Sequence, residues 1–108
     1  MNGHLGKAEM AGVPRALASA MLDHEGGLHA RPAIKAVQLA KRFEAKVWIG
    51  TSEDGPWIDV KSIARVMAMK TPKGTMLYFA AEGADADAAV KGLAQLVESD
   101  FAAVSGDA

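Results

Sequence analysis

The stretch Gly26-Gly27-Leu28-His29-Ala30-Arg31-Pro32 decides how the whole chain is read. Pro32 has no amide hydrogen and a fixed φ, so it belongs in the first turn of a helix and marks its start. His29 then stands at the mouth of that helix, where free amides and the positive dipole end point back towards it. Phosphate is the usual guest of such a terminus. Arg31 adds a planar fork of donors matched to phosphate oxygens. These residues together imply a histidine that carries a phosphoryl group.

Downstream, residues 32–43 form an amphipathic pattern, with Ala33, Ala36, Val37, Ala40 and Phe43 on one face at three- and four-residue steps. Ile34, Gln38 and Lys41 lie on the flank of that helix. Val47 and Ile49 alternate against Lys46 and Trp48 within residues 45–51, which predicts a strand. Ser52-Glu53-Asp54-Gly55-Pro56 is turn chemistry. Residues 57–61 alternate again with Ile58 and Val60 inward, so the two runs make a β-hairpin on which Trp48 and Trp57 pack across the strands. Ser62 is an N-cap for a short helix over residues 62–69, with Val66 and Met69 inward and Ile63, Ala64 and Met67 outward. Residues 75–81 are a further strand, placing Leu77, Phe79 and Ala81 on one face and Met76 and Tyr78 on the other. A last helix runs from Ala84 to about Ser99, with Ala86, Ala89, Val90, Leu93 and Val97 buried, and the chain frays from Phe101 onwards.

Upstream, residues 15–23 are ambiguous. Their alanines favour a helix, whereas Ala18, Ala20 and Leu22 alternate against Ser19, Met21 and Asp23 as in a strand, which is preferred. Residues 1–14 show no sustained period and read as a flexible tail, a linker or an expression tag. The element order is β-α-β-β-α-β-α, an open-faced α+β sandwich with helices on one side of the sheet.

With 108 residues the chain supports one core, assigned to residues 15–101, followed by a frayed end over 102–108. It holds no cysteine, which excludes a disulfide scaffold and a thiolate metal site. A net charge of −1 argues against a nucleic-acid partner. No apolar run approaches a membrane span, and no secretory signal is visible, so a cytoplasmic protein is expected. His4 and His24 have no partners at metal or catalytic spacing and read as surface residues, and no metal is expected. The pairs Glu53-Asp54 and Asp85-Asp87 fit turn and helix-start charges better than a catalytic dyad.

The element order and three anchors resemble the histidine-containing phosphocarrier (HPr) family of the bacterial phosphoenolpyruvate-dependent phosphotransferase system. The anchors are Gly27-Leu28-His29-Ala30-Arg31-Pro32-Ala33, Lys61-Ser62-Ile63 with Val66-Met67, and Lys73-Gly74-Thr75 with Ala81-Glu82-Gly83. The resemblance implies a four-stranded antiparallel sheet of order 1-4-2-3 covered on one face by three helices. It implies that His29 takes a phosphoryl group on Nδ1 from phosphorylated enzyme I and passes it to EIIA-type domains. Arg31 and the amides of Ala30 and Arg31 would hold the transferring phosphate, since transfer is catalysed largely by positioning and electrostatics. Ile34, Gln38, Lys41, Ile63, Ala64, Arg65 and Met67 would form the docking face. Ser62 is first an N-cap, and by resemblance a regulatory target of an HPr serine kinase. The expected protein is a monomer without a cofactor, a relay in a transferase chain and not a standalone catalyst. The alternative is a phosphorylation-controlled docking protein of a paralogous nitrogen or dihydroxyacetone system. On local pattern alone His29 could merely cap its helix. Glu25-Gly26 replaces the Pro-Asn of many members, which removes a side chain able to brace the histidine.

Overall fold

Seven elements account for the computed structural model, which describes residues 15–102. They are β1 (Arg15–Met21), α1 (Ala30–Ala40), β2 (Lys46–Gly50), β3 (Ile58–Asp59), α2 (Ile63–Ala68), β4 (Met76–Glu82) and α3 (Ala86–Glu98). The expectations for residues 1–14, His4 included, lie outside the described residues. The ambiguous first segment is a strand: Ala20 and Leu22 are buried while Leu17, Ser19 and Met21 face solvent. Burying the small alanines lets a helix pack close to the sheet.

The four strands form one antiparallel sheet of order β1-β4-β2-β3. Ala18 pairs with Phe79 and Ile49 with Phe79 from the other side, so Val47, Ile49, Leu77, Phe79 and Ala81 present one apolar face. Against it lie Ala33, Ala36 and Val37 of α1, Val66 of α2, and Ala89, Val90, Leu93 and Leu96 of α3. Burial of the larger of these side chains contributes on the order of 1.5–3 kcal/mol each. The three helices on one face and the order 1-4-2-3 are as the family resemblance implies.

Several boundaries differ from the sequence reading, each for a local reason. Helix α1 starts at Ala30, placing Pro32 third in the helix, where its missing amide still costs nothing. It ends at Ala40 and not at Phe43, because Arg42 and Phe43 donate to carbonyls three residues back in a tightened final turn. Leu39 joins its buried face. The strand expected over residues 57–61 shrinks to Ile58–Asp59. The Asp59 carboxylate accepts from the Lys61 amide at 2.9 Å, which turns the chain out of the ladder. Trp57 lies across the hairpin over Gly50 of β2, where a Cβ would stand 3.3 Å from its ring.

The C-terminal end is the largest correction. Phe101 is buried in the core, and its carbonyl accepts from Lys35 Nζ at 2.9 Å. Helix α3 begins at Ala86, with Asp85 in the N-cap position. The Asp85 carboxylate is turned to the chain after α1, accepting from the Glu44 and Ala45 amides at 2.9 and 2.8 Å. Those two amides, the Glu44 one foremost, hold its carboxyl below the usual aspartate range.

Candidate functional site

The loop between β1 and α1 is tied to the loop between α2 and β4 by three backbone hydrogen bonds. Leu22 donates to Thr75 O at 2.9 Å, Gly74 to Leu22 O at 2.6 Å and Leu28 to Thr71 O at 2.9 Å. Gly27 makes that approach possible. Its φ is +74°, and a Cβ there would stand 2.3 Å from Thr71 O. Gly26, at φ +84°, is the seat of the imidazole: a Cβ would fall 2.8 Å from Cδ2 and 3.2 Å from Nε2 of His29. The Cδ2–Nε2 edge of the ring therefore rests on the glycine, with Nδ1 on the opposite edge.

His29 is exposed and occupies the N-cap of α1 with an extended backbone, yet its side chain makes no capping hydrogen bond. The imidazole therefore does not cap the helix, although the residue occupies the N-cap position. The amides of Ala30 and Arg31 have no intrahelical acceptor, and Pro32 has no amide to offer. A cleft of 390 Å³ opens at the ring, bounded by Gly26, His29, Ala30, Met67, Lys70 and Thr71. Thr71 is buried and its hydroxyl is without a hydrogen-bond partner among the described residues.

Charge around the loop is partly engaged. Lys73 Nζ lies 2.9 Å from Glu25 Oε2 and 3.8 Å from Asp23 Oδ1. The hydrogen bond and charge of Lys73 hold the Glu25 carboxyl below its ordinary range, and the same contact with Glu25 raises the Lys73 ammonium. Arg31 and Lys70 are exposed, and neither forms an ion pair among the described residues. His24, read from sequence as a surface residue without partners, is half-buried instead. Its Nδ1 is hydrogen-bonded to Asp100 Oδ1, and its ring lies 5.3 Å from that of His29.

A family model described as the PTS HPr component phosphorylation site matches residues 18–99, a span that includes the histidine cradle. The chain belongs to the HPr family. It is 39% identical over 75 residues to the phosphocarrier protein HPr of Pseudomonas aeruginosa, covering 69% of this chain and 82% of that one. It is also 40% identical over 68 residues to a multiphosphoryl transfer protein of Vibrio cholerae, covering 62% of this chain. The chain spans 17% of that relative's length and 16% of its counterpart from Haemophilus influenzae. The fold matches HPr-C-His from Thermoanaerobacter tengcongensis with a TM-score of 0.73 and 32% identity, covering 80% of this chain and 94% of that one. It matches an HPr from Bacillus anthracis at 0.70 and 35% identity, covering 77% and 96%.

Within this HPr fold, the docking residues singled out from sequence are all exposed. Ile34, Gln38 and Lys41 lie on the open side of α1, and Ile63, Ala64, Arg65 and Met67 on that of α2, which packs against α1. Met67 reaches the cleft itself. Ser62 caps α2, its Oγ accepting from the Arg65 amide at 3.3 Å. Sequence reasoning missed Gly26 as the seat of the ring, Thr71 as a wall of the cleft, and the pair His24 and Asp100. The positive φ of Gly26 and Gly27 leaves the signal Gly-Gly, but His24 and Asp100 are 76 residues apart and share no pattern. Among the described residues no helix is long and apolar enough to cross a membrane.

Proposed function

We propose that this chain relays phosphoryl groups, with His29 as the acceptor. The observation that carries the reading is the geometry of His29: an exposed imidazole, not used as a cap, at a helix N-terminus with two unsatisfied amides and a neighbouring arginine. An uncharged imidazole is a nucleophile at neutral pH. Nδ1, on the ring edge away from Gly26, attacks phosphorus; the P–N bond forms as the bond from phosphorus to the donor breaks. The amides of Ala30 and Arg31 and the Arg31 guanidinium hold the charge spread over the three equatorial oxygens. The reverse step at a second partner returns His29 to its starting state, so an exposed site suits the task.

The donor in this reading is phosphorylated enzyme I and the recipient an EIIA-type domain, in the cytoplasm. Partners dock on the exposed sides of α1 and α2 (Ile34, Gln38, Lys41, Ile63, Ala64, Arg65, Met67). Methionine adapts to more than one partner. A phosphate on Ser62 would sit at a helix N-terminus inside that face and repel an acidic partner. The test is incubation with phosphoenolpyruvate and the host's enzyme I, read by intact mass and ³¹P NMR. The expected result is one acid-labile phosphate on the wild type and none on His29→Ala. Arg31→Ala should remain folded and accept the group on the order of 10²-fold more slowly. A folded wild-type chain that takes no label overturns the proposal.

A further inference from the structure

The turn that closes α3 brings an acidic side chain to the histidine cradle. Phe101 N–H donates to Leu96 O at 2.7 Å and Asp100 N–H to Val97 O at 3.0 Å, the bond pair of a Schellman ending. That ending needs a left-handed residue at its first position outside the helix, a place that favours glycine. Here it is Asp100, at φ +59°, and Phe101 follows at +66°. The side chain that glycine would lack accepts the hydrogen bond from His24 Nδ1. An ionised carboxylate can only accept, so Nδ1 of His24 carries the hydrogen.

His24 is thereby held on three sides. Asp100 takes its Nδ1, the Phe101 ring packs nearly perpendicular to it at a centroid distance of 5.4 Å, and the His29 ring lies 5.3 Å away at a tilt of 40°. Stability does not explain this arrangement. The Asp100 side chain is 63% exposed, ion pairs of that kind add little, and a left-handed aspartate subtracts. The His29 ring, meanwhile, is seated on Gly26, where a Cβ would fall 2.8 Å from its Cδ2. We propose that His24, clamped by Asp100, is a positioning residue that fixes the orientation of the His29 imidazole for phosphoryl transfer. This rests on the reading of His29 as the acceptor.

Asp100→Gly separates this role from folding, because it installs the residue the turn prefers while removing the clamp. Its thermal midpoint should equal or exceed that of the wild type. Its initial rate of phosphorylation by enzyme I should fall on the order of tenfold, in kcat and not in KM for enzyme I, since the docking face is untouched. His24→Ala should show the same fall, and Asp100→Asn, which keeps an acceptor, should recover most of the rate. In ¹H–¹⁵N spectra the His24 ring should carry its hydrogen on Nδ1, and Asp100→Gly should shift the His29 ring signals. Wild-type rates in folded Asp100→Gly and His24→Ala overturn the proposal. If the wild type accepts no phosphate, the carrier reading fails, and the spectra alone decide: His29 signals unmoved by Asp100→Gly overturn the clamp.

Discussion

Replacing Gly27 with alanine probes how the histidine loop is locked to its neighbour. A Cβ at this position would stand 2.3 Å from Thr71 O and 2.9 Å from Pro72 Cα, both backbone atoms that cannot rotate away. Gly74 supplies the control: its φ is +93°, also outside the range an L-residue prefers, but a Cβ there meets nothing within 4 Å. A left-handed backbone costs a residue with a Cβ about 1–2 kcal/mol, and Gly74→Ala should lose only that. Gly27→Ala carries the same penalty and in addition forces the Thr71–Pro72 backbone to retreat. Retreat breaks the 2.9 Å bond from the Leu28 amide to Thr71 O, ordinarily worth about 1 kcal/mol. It also loosens Leu28, which is 3% exposed, for about 1–2 kcal/mol more. The sum is about 3–5 kcal/mol, a large share of the 5–15 kcal/mol typical of a domain. Urea unfolding of both variants, with slopes compared, measures the difference. Gly27→Ala should fall at least about 2 kcal/mol below Gly74→Ala at an unchanged slope. Equal losses would refute the claim that close backbone approach, and not φ alone, requires glycine at 27.

Acid should weaken the fold partly through Asp85. Its carboxyl titrates below its ordinary value in the folded state, so its stabilisation is fully present above the ordinary aspartate range, about pH 4, and lost as pH falls through the lowered value. Asp85→Asn should therefore be less stable than the wild type at neutral pH and approach it in acid, as urea midpoints taken across pH would show. At Ser62, removal of the cap by Ser62→Ala should cost about 1 kcal/mol in the same assay. Ser62→Asp keeps a capping oxygen and should stay within about 0.5 kcal/mol of the wild type. It places a negative charge in the proposed docking face, so phosphorylation by enzyme I should slow.

What could be read in the sequence was what rests on local period. Alternation identified β1, β2 and β4, and three- and four-residue spacing identified the buried faces of α1 and α3, because those patterns answer to the core directly. Pro32 located the start of α1 to within two residues. The errors fall where a side chain's partner is distant. Asp59 bends the chain out of β3 by bonding the Lys61 amide, so a strand-like run made only two ladder residues. Phe101 follows the last helix among small and polar residues, yet two left-handed residues turn it into the core. His24 looked unpartnered because Asp100 is brought to it only by the packing of α3 on the sheet.

The two glycines and the paired loops bear on how an exposed His29 is ordered for the acceptor role proposed for it. A site that meets more than one partner has to stay open, and an open side chain on a loop is ordinarily free to choose among rotamers. In this chain much of that order is supplied from beneath. Gly26 lets the ring lie on backbone, Gly27 lets that backbone lie against Thr71 and Pro72, the Leu28 bond to Thr71 joins the two loops, and the Gly74 bond to Leu22 ties them to the end of β1. The contacts beneath the ring thus come from main-chain atoms, while the His24 ring lies 5.3 Å away. A side chain at position 26 of this chain would have to displace the ring from its seat, because its Cβ would fall 2.8 Å from His29 Cδ2.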